Sequence, residues 1–342
     1  MAPLAFPGQA GPRYRQGSQM AQTQAPDRRP SEIVVVDGRV YHLGLLPTEL
    51  AENLFVVGDP ARAYAVAARF DRVDHEVKHR EFVTLTGTHR GLPVSVMGTG
   101  MGTDNIEIAL VEAWALVTLD LATGLRRPGS GPEAARALTV LRIGTSGGTR
   151  EDVAVGTLVI SSYAIGLDST GLYYEGPPVD ETVRALERAA RRAIEDGVRP
   201  GSRFAGAFVP YASRATPALV MALERQAAAA GARFVTGVTV TAPGFFAPSG
   251  RYVDGLTNTV HDVKARLGRV EAHGVRVCNM EMESSLLFHL AGLLGVRSGT
   301  ICPTISNPAG HGAVLDPAPL VAPAIDVALA AMHEVVGRTA SQ

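Results

Sequence analysis

The sequence predicts an α/β protein: a single domain over residues 31–342, built on a mixed, largely parallel twisted sheet with helices on both faces. Three observations predict it. Short apolar β-like runs and amphipathic helical runs alternate from about residue 31 to the end, the pattern that helical crossovers between parallel strands produce. Hydrophobic residues make up 46% of the 342, enough for a sizeable core. No internal repeat or compositional break interrupts the alternation, so nothing demands a second domain.

Residues 1–30 stand outside the pattern. They are rich in Pro, Gln, Gly and Arg, lack periodicity and hold no apolar core of signal-peptide length. They are expected to be a disordered tail, with Met20 as an alternative start. The first strand-like runs are 54–57, 84–86 and 94–97. Asp104 or Asn105 then caps a helix to about Thr118, on which Ile106, Ala109, Leu110, Ala113 and Trp114 recur at helical spacing. Residues 123–133 read as a surface loop. Strands at 140–143 and 157–161 precede an amphipathic helix over 180–196, with Val183, Leu186, Ala190 and Ile194 inward. A strand is predicted over 204–209 and an Ala-rich helix over 216–230. Strands at 234–240 and 275–280, a helix at 284–294 and a strand at 297–301 follow. A closing helix over 323–336 would place Pro323 at its first position.

Composition bounds the function. The net charge of −1 points to no nucleic-acid and no membrane partner. Positive charge is almost all arginine; Lys78 and Lys264 are the only lysines. No stretch reads as long and apolar enough to span a bilayer, and with no targeting signal the cytoplasm is the expected compartment. Cys278 and Cys302 sit in apolar strand-like runs and are expected to be free and buried. The nine histidines show no metal-ligand spacing, so no metal site is expected. No nucleophile elbow is present either.

Three segments carry chemistry. Val277-Cys278-Asn279-Met280-Glu281-Met282-Glu283-Ser284-Ser285 places two carboxylates at a strand-to-helix corner, where α/β proteins bind ligands. A carboxylate there can accept from two vicinal hydroxyls, as a sugar offers, or Glu283 can simply cap the helix. Val56-Val57-Gly58-Asp59-Pro60-Ala61-Arg62 runs from an apolar strand into a helix start beside an arginine, an anion site in outline. Val140-Leu141-Arg142-Ile143-Gly144-Thr145-Ser146-Gly147-Gly148 repeats the design with an arginine inside the strand itself. A buried guanidinium demands a partner, either an anion or a structural ion pair. Two Arg-plus-Gly loops converging on one anion is the simpler account, and phosphate is the natural candidate.

Other segments are weaker. Gly98-Thr99-Gly100-Met101-Gly102 lacks the spacing of a nucleotide loop; it allows close backbone approach to a ligand or is a tight turn. In the 241–251 loop, Phe245 could stack on a planar base and Arg251 could donate to a base carbonyl, or the aromatics could be pinned to the core. His42 is the best-placed histidine, just ahead of the first strand.

Taken together, His42-Leu43-Gly44, Gly58-Asp59-Pro60-Ala61-Arg62, His79-Arg80-Glu81-Phe82, Gly100-Met101-Gly102, the Arg142 to Gly148 loop and Asn279-Met280-Glu281-Met282-Glu283-Ser284 fall in order over about residues 40–310. In that order they resemble the nucleoside phosphorylases of the uridine phosphorylase and trimeric-or-hexameric purine nucleoside phosphorylase superfamily, closest to the uridine branch. The resemblance implies phosphorolysis of a nucleoside to free base and (deoxy)ribose 1-phosphate. Gly58, Arg62, Arg142 and Thr145 match its phosphate site, and Arg80 an arginine lent by a neighbouring subunit. Met282 and Glu283 match the ribose contacts, with His42 donated across the interface toward the 5′-hydroxyl. Phe245, Ser249, Arg251 and Asn307 match base-contacting positions. Arg142, Glu283 and Arg251 would carry catalysis. No metal or organic cofactor is implied, beyond a monovalent cation near Glu81. The assembly implied is a homo-oligomer, a dimer or a trimer of dimers.

The chain departs from the family where the base is read. Uridine enzymes usually have Gln at the position of Ser249 and Asn-Arg at Asn307-Pro308; purine enzymes usually have Asp near Asn307. The expected substrate is uridine or a related pyrimidine nucleoside. The alternatives are a purine nucleoside phosphorylase, a hydrolytic nucleosidase, for which Arg62, Arg80 and Arg142 make little sense, and a non-catalytic nucleoside-binding protein.

Overall fold

The alternation in the sequence becomes a sheet of twelve strands. The computed structural model describes residues 29–128, 138–176, 179–308 and 316–339. Nearly all of the expected N-terminal tail, residues 1–28, and positions 129–133 of the expected loop lie outside the described residues.

A two-stranded hairpin of β1 (Val35–Val36) and β2 (Arg39–Val40) leads into β3 (Asn53–Val57), α1 (Pro60–Ala67), β4 (Arg72–His79), β5 (Phe82–His89), β6 (Leu92–Gly98) and α2 (Thr103–Thr118). The small pair β7 (Leu119–Asp120) and β8 (Leu125–Arg126) precedes β9 (Thr139–Ile143), β10 (Ser146–Gly148) and β11 (Leu158–Gly166). Then come α3 (Glu181–Glu195), β12 (Tyr211–Arg214), α4 (Pro217–Ala229), β13 (Phe234–Thr241), α5 (Val263–Leu267) and β14 (Glu271–Ala272). The chain finishes with β15 (Val275–Glu281), α6 (Ser284–Leu294), β16 (Arg297–Ser306) and α7 (Ala318–Thr339).

The sheet runs β12-β11-β13-β15-β10-β16-β9-β3-β6-β5-β4, with β14 hydrogen-bonded to β15. The pairs β6–β3, β3–β9 and β9–β16 are parallel, as are β11–β13 and β13–β15. An extra antiparallel pairing of β11 with β16, from Leu158↔Pro303 to Ile160↔Ile301, closes β11, β13, β15, β10 and β16 into a ring. Every residue of β3 and β9 is buried, as expected of parallel strands covered on both faces. One large apolar cluster joins these strands to α2, α6 and α7, and each fully buried Leu, Ile or Phe in it contributes roughly 1.5–3 kcal/mol. On α3, Asp180 accepts from the Val183 amide as N-cap, and Val183, Leu186, Ala190 and Ile194 are buried as the periodicity predicts.

Several elements differ from the sequence reading; β8 lies within the expected loop 123–133, and α2 starts at Thr103 with Gly102 as N-cap rather than Asp104 or Asn105. Residues 204–209 are not a strand: Gly206 has φ 76°, and turn hydrogen bonds from Ala205 to Ser202 and from Ala207 to Phe204 take the chain into β12 instead. The closing helix starts at Ala318 rather than at Pro323, with the Ala318 amide donating to Asp316 and that of Val321 to Pro317. Pro323 therefore lies inside the helix. α7 is long and apolar enough to cross a membrane by composition, but half of that window is buried against the protein. Finally, β4 was missed because its residues are mostly polar and almost all exposed, as befits the last strand at one end of the sheet.

Candidate active site

The carboxyl ends of β3, β6, β9 and β15 meet at a cavity of about 590 Å³. Its wall holds Gly58 and Arg62 after β3, Gly100 and Met101 after β6, Arg142 and Thr145 on and after β9, and Glu281, Met282 and Glu283 at the end of β15. Phe245, Ser249 and Arg251 from the loop after β13 close another side, together with Lys264 of α5 and Ser306 of β16. Nine of the twelve residues expected from the sequence thus line one cavity.

Arg142 is 4% exposed within a strand of otherwise apolar residues. Its guanidinium folds back beneath Gly144: a Cβ built there would lie 2.0 Å from Nη1. Nη1 lies 3.0 Å from Glu281 Oε2 and 3.0 Å from Cys302 Sγ, and Nη2 donates to Glu283 Oε2. The other Glu283 oxygen accepts from the Gly102 amide at 2.8 Å. Glu283 therefore ties the glycine loop after β6 to the arginine of β9.

The two carboxylates divide the corner between them. Glu281 accepts from the amides of Glu283 and Ser284 and from Thr241 Oγ1, so it is the residue that satisfies the free amides at the start of α6. Glu283, for which capping was the alternative to binding a ligand, makes no side-chain cap bond. Its carboxylate turns to the cavity instead.

Burial works against the charges of Glu283, Arg142 and Arg62. Burial pushes Glu283 above the usual carboxylate range, although Arg142 pulls it back. Burial opposes the Arg142 charge too, yet Glu283 and Glu281 hold its pKa above the ordinary arginine value. Arg62 is lowered, first by burial and then by the positive charge of Arg142. Among the described residues Arg62 makes no ion pair; its Nη1 donates to the Ile143 carbonyl at 3.3 Å. Two guanidiniums that disfavour each other, one lacking a carboxylate, are a pair whose mutual repulsion an anion would relieve.

In the loop after β13, Arg251 stacks over Phe245, its Cζ 3.7 Å from the ring centre, and donates to the Phe245 carbonyl at 2.6 Å. Ser249 is buried and its hydroxyl donates to the Gly244 carbonyl at 2.8 Å.

The remaining three lie outside this cavity. The Asn307 amide donates to the carbonyls of Glu151 and Val153. Arg80, at φ 53°, donates to the Tyr41 hydroxyl at 2.7 Å and stacks on its ring. His42 pairs through Nδ1 with Glu112 Oε1 at 2.7 Å, and Glu112 also accepts from the His42 and Leu43 amides. Sequence reasoning missed Glu112, Lys264, Ser306 and the Gly102 amide. Of these only Lys264 had a visible signal, as one of two lysines in an arginine-rich chain. Among the described residues no group of three or more His, Cys, Asp or Glu forms a metal centre.

Residues 54–336 match the model of the phosphorylase superfamily. The chain belongs to the phosphorylase superfamily. A solved nucleoside phosphorylase of Trypanosoma brucei, described as showing uridine phosphorylase activity, superposes with a TM-score of 0.78 at 30% identity, covering 90% of this chain and all of that one. The uridine phosphorylase of Thermococcus kodakarensis is 26% identical over 277 residues, 79% of this chain and 78% of the relative. That of Escherichia coli is 29% identical over 270 residues, 78% of this chain and 86% of the relative. As a member of this superfamily the phosphorylase is an enzyme of the pentosyltransferase class. Its α/β sheet is the fold of that family, as the sequence predicted.

Proposed function

We propose that the phosphorylase cleaves uridine, or a closely related pyrimidine nucleoside, with inorganic phosphate to give the free base and ribose 1-phosphate. One observation carries the reading: Arg62, Arg142, Glu283, Phe245 and Arg251, from four separate stretches of the chain, line one cavity. Guanidiniums for phosphate, a carboxylate for the sugar and an aromatic ring for the base thus share one wall.

In this reading Arg62, Arg142, Thr145 and the Gly58 amide hold phosphate against C1′. Glu283 accepts from the sugar hydroxyls, which supply its buried carboxylate with the donors that burial makes valuable. The glycosidic bond lengthens toward an oxocarbenium-like transition state, which the phosphate oxygens and Glu283 stabilise. Met282 packs beside the sugar and Phe245 against the base. No metal or organic cofactor enters. The uridine phosphorylase names of the relatives and the T. brucei structure support the choice of base. Arg80 and His42, outside the cavity of their own chain, serve a neighbouring subunit in a homo-oligomer. Glu112 fixes the His42 ring for that task.

The test is base release from uridine, thymidine, inosine and adenosine, followed by absorbance with and without phosphate. The expected result is phosphate-dependent cleavage with uridine or thymidine fastest. Equal rates without phosphate would show a hydrolase, and a preference for inosine or adenosine a purine enzyme.

A further inference from the structure

The residues expected to read the base are already engaged. Ser249 donates its hydroxyl to Gly244, Asn307 its amide to Glu151 and Val153, and Arg251 lies on Phe245 while donating to that residue's carbonyl. Lys264 is different. It lines the same cavity. Its root is fixed: Gly250, at φ 79°, turns the chain so that a Cβ there would sit 3.3 Å from the Lys264 Cβ and amide nitrogen. Its ammonium reaches the Gly147 backbone, where a built Cβ would lie 3.3 Å from Nζ and 3.1 Å from Ser306 Oγ. Gly147 pairs with Met280, one residue before Glu281. Among the described residues that ammonium has no hydrogen bond or ion pair, and burial, then the charge of Arg251, pull its pKa down. A half-buried cation beside another cation, facing a cavity, calls for an acceptor from the ligand.

We propose that Lys264 is the base-reading donor of this phosphorylase: its ammonium holds a carbonyl oxygen of the pyrimidine and stabilises the charge the base acquires on leaving. This rests on the pyrimidine phosphorolysis proposed above. The C1′–N1 bond breaks and its electron pair stays with the base, delocalised onto the ring carbonyls. A phosphate oxygen bonds to C1′, and the departed base takes a proton from water. An ammonium donates three hydrogens and accepts none, so it favours a ring edge bearing carbonyl oxygens over the amino-bearing edge of cytosine or adenine. It also replaces, by a different side chain from a different element, the amide that the Ser249 position lacks.

The test compares wild type, Lys264→Met and Lys264→Gln on uridine and on 5-fluorouridine in saturating phosphate, with thermal melting to establish that each variant is folded. 5-Fluorouracil leaves as a weaker base and needs less stabilisation. Lys264→Met should lose about 10- to 100-fold in kcat/KM on uridine and clearly less on 5-fluorouridine, as expected for losing one charged donor. Lys264→Gln, which keeps a donor without the charge, should restore KM but not kcat. Equal losses on both nucleosides, or none, in a folded Lys264→Met variant would overturn the role of Lys264. Failure of the wild type to release uracil from uridine with phosphate would overturn the pyrimidine reading itself.

Discussion

With no side chain at residue 144, the Arg142 guanidinium can fold back beneath its own strand end and reach Glu281 and Glu283 together. The three groups are buried, so none can be removed cleanly. Arg142→Ala leaves two uncompensated carboxylates, which costs roughly 3–5 kcal/mol in comparable cases. It should also lower turnover about 100-fold, as losing one preorganised donor does. Steady-state kinetics on the folded fraction checks this, and the more conservative Arg142→Lys should retain more stability than activity. Glu283→Ala keeps the Arg142–Glu281 pair. It should hurt ribonucleosides more than 2′-deoxyribonucleosides, and the ratio of kcat/KM on uridine and 2′-deoxyuridine measures it. At this scale much of the site was legible. An arginine in an apolar strand and a carboxylate at a strand-to-helix corner are visible without a fold, because each violates local composition. Which of Glu281 and Glu283 caps α6 was not visible, since they stand two residues apart and only the corner's geometry separates them. Nor was the engagement of Ser249 and Asn307 with local carbonyls, which depends on the path of loops.

Among the elements, α7 is held to the end of β5 by a histidine pair, His89 Nδ1 to His333 Nε2 at 2.9 Å. One ring must donate and the other accept, so a proton on the accepting nitrogen breaks the contact. Burial lowers both pKa values; for His89 the neighbouring His333 adds to it. Arg90 also opposes protonation, while Asp71 favours it. A folded-state pKa below the ordinary 6.5 means that the unfolded chain binds the proton more readily. The stabilisation is therefore complete above about pH 6.5 and fades as pH falls through the lower folded values. Melting temperature should drop between pH 7 and pH 5, and His333→Leu should flatten that part of the profile. The helices and inner strands were legible from periodicity. The early start of α7 was not, because Pro323 mimics a first-turn proline while the true start is set by Asp316 and Pro317. Residues 204–209 misled because an apolar run carries no mark of the left-handed Gly206 at its centre.

For the whole molecule, the alternation of strands and helices announced a parallel α/β sheet, but not its closure into a ring through β11 and β16, which joins residues far apart in sequence. The placement of Arg80 and His42 outside the cavity makes a mixing experiment decisive for the proposed sharing of sites. Arg80→Ala and Arg142→Ala subunits should each be nearly inactive alone. Co-expressed, they should recover part of the wild-type rate, since one mixed site then has both arginines. Absence of recovery in mixed oligomers would place Arg80 in its own subunit's chemistry or in none.

Arg142 stands on β9, flanked on both sides by the parallel partners β3 and β16, whereas Phe245 and Arg251 ride on a loop beyond β13. Deuterium should therefore reach the amides of β9 only when the entire fold opens, and those of the 241–251 loop much sooner. Under the proposed roles the phosphate and sugar contacts sit on bedrock. The ring that stacks on the base, unlike its Lys264 donor on α5, sits on loose ground, so substitutions in that loop should alter the fit of the base while Arg142 keeps its place.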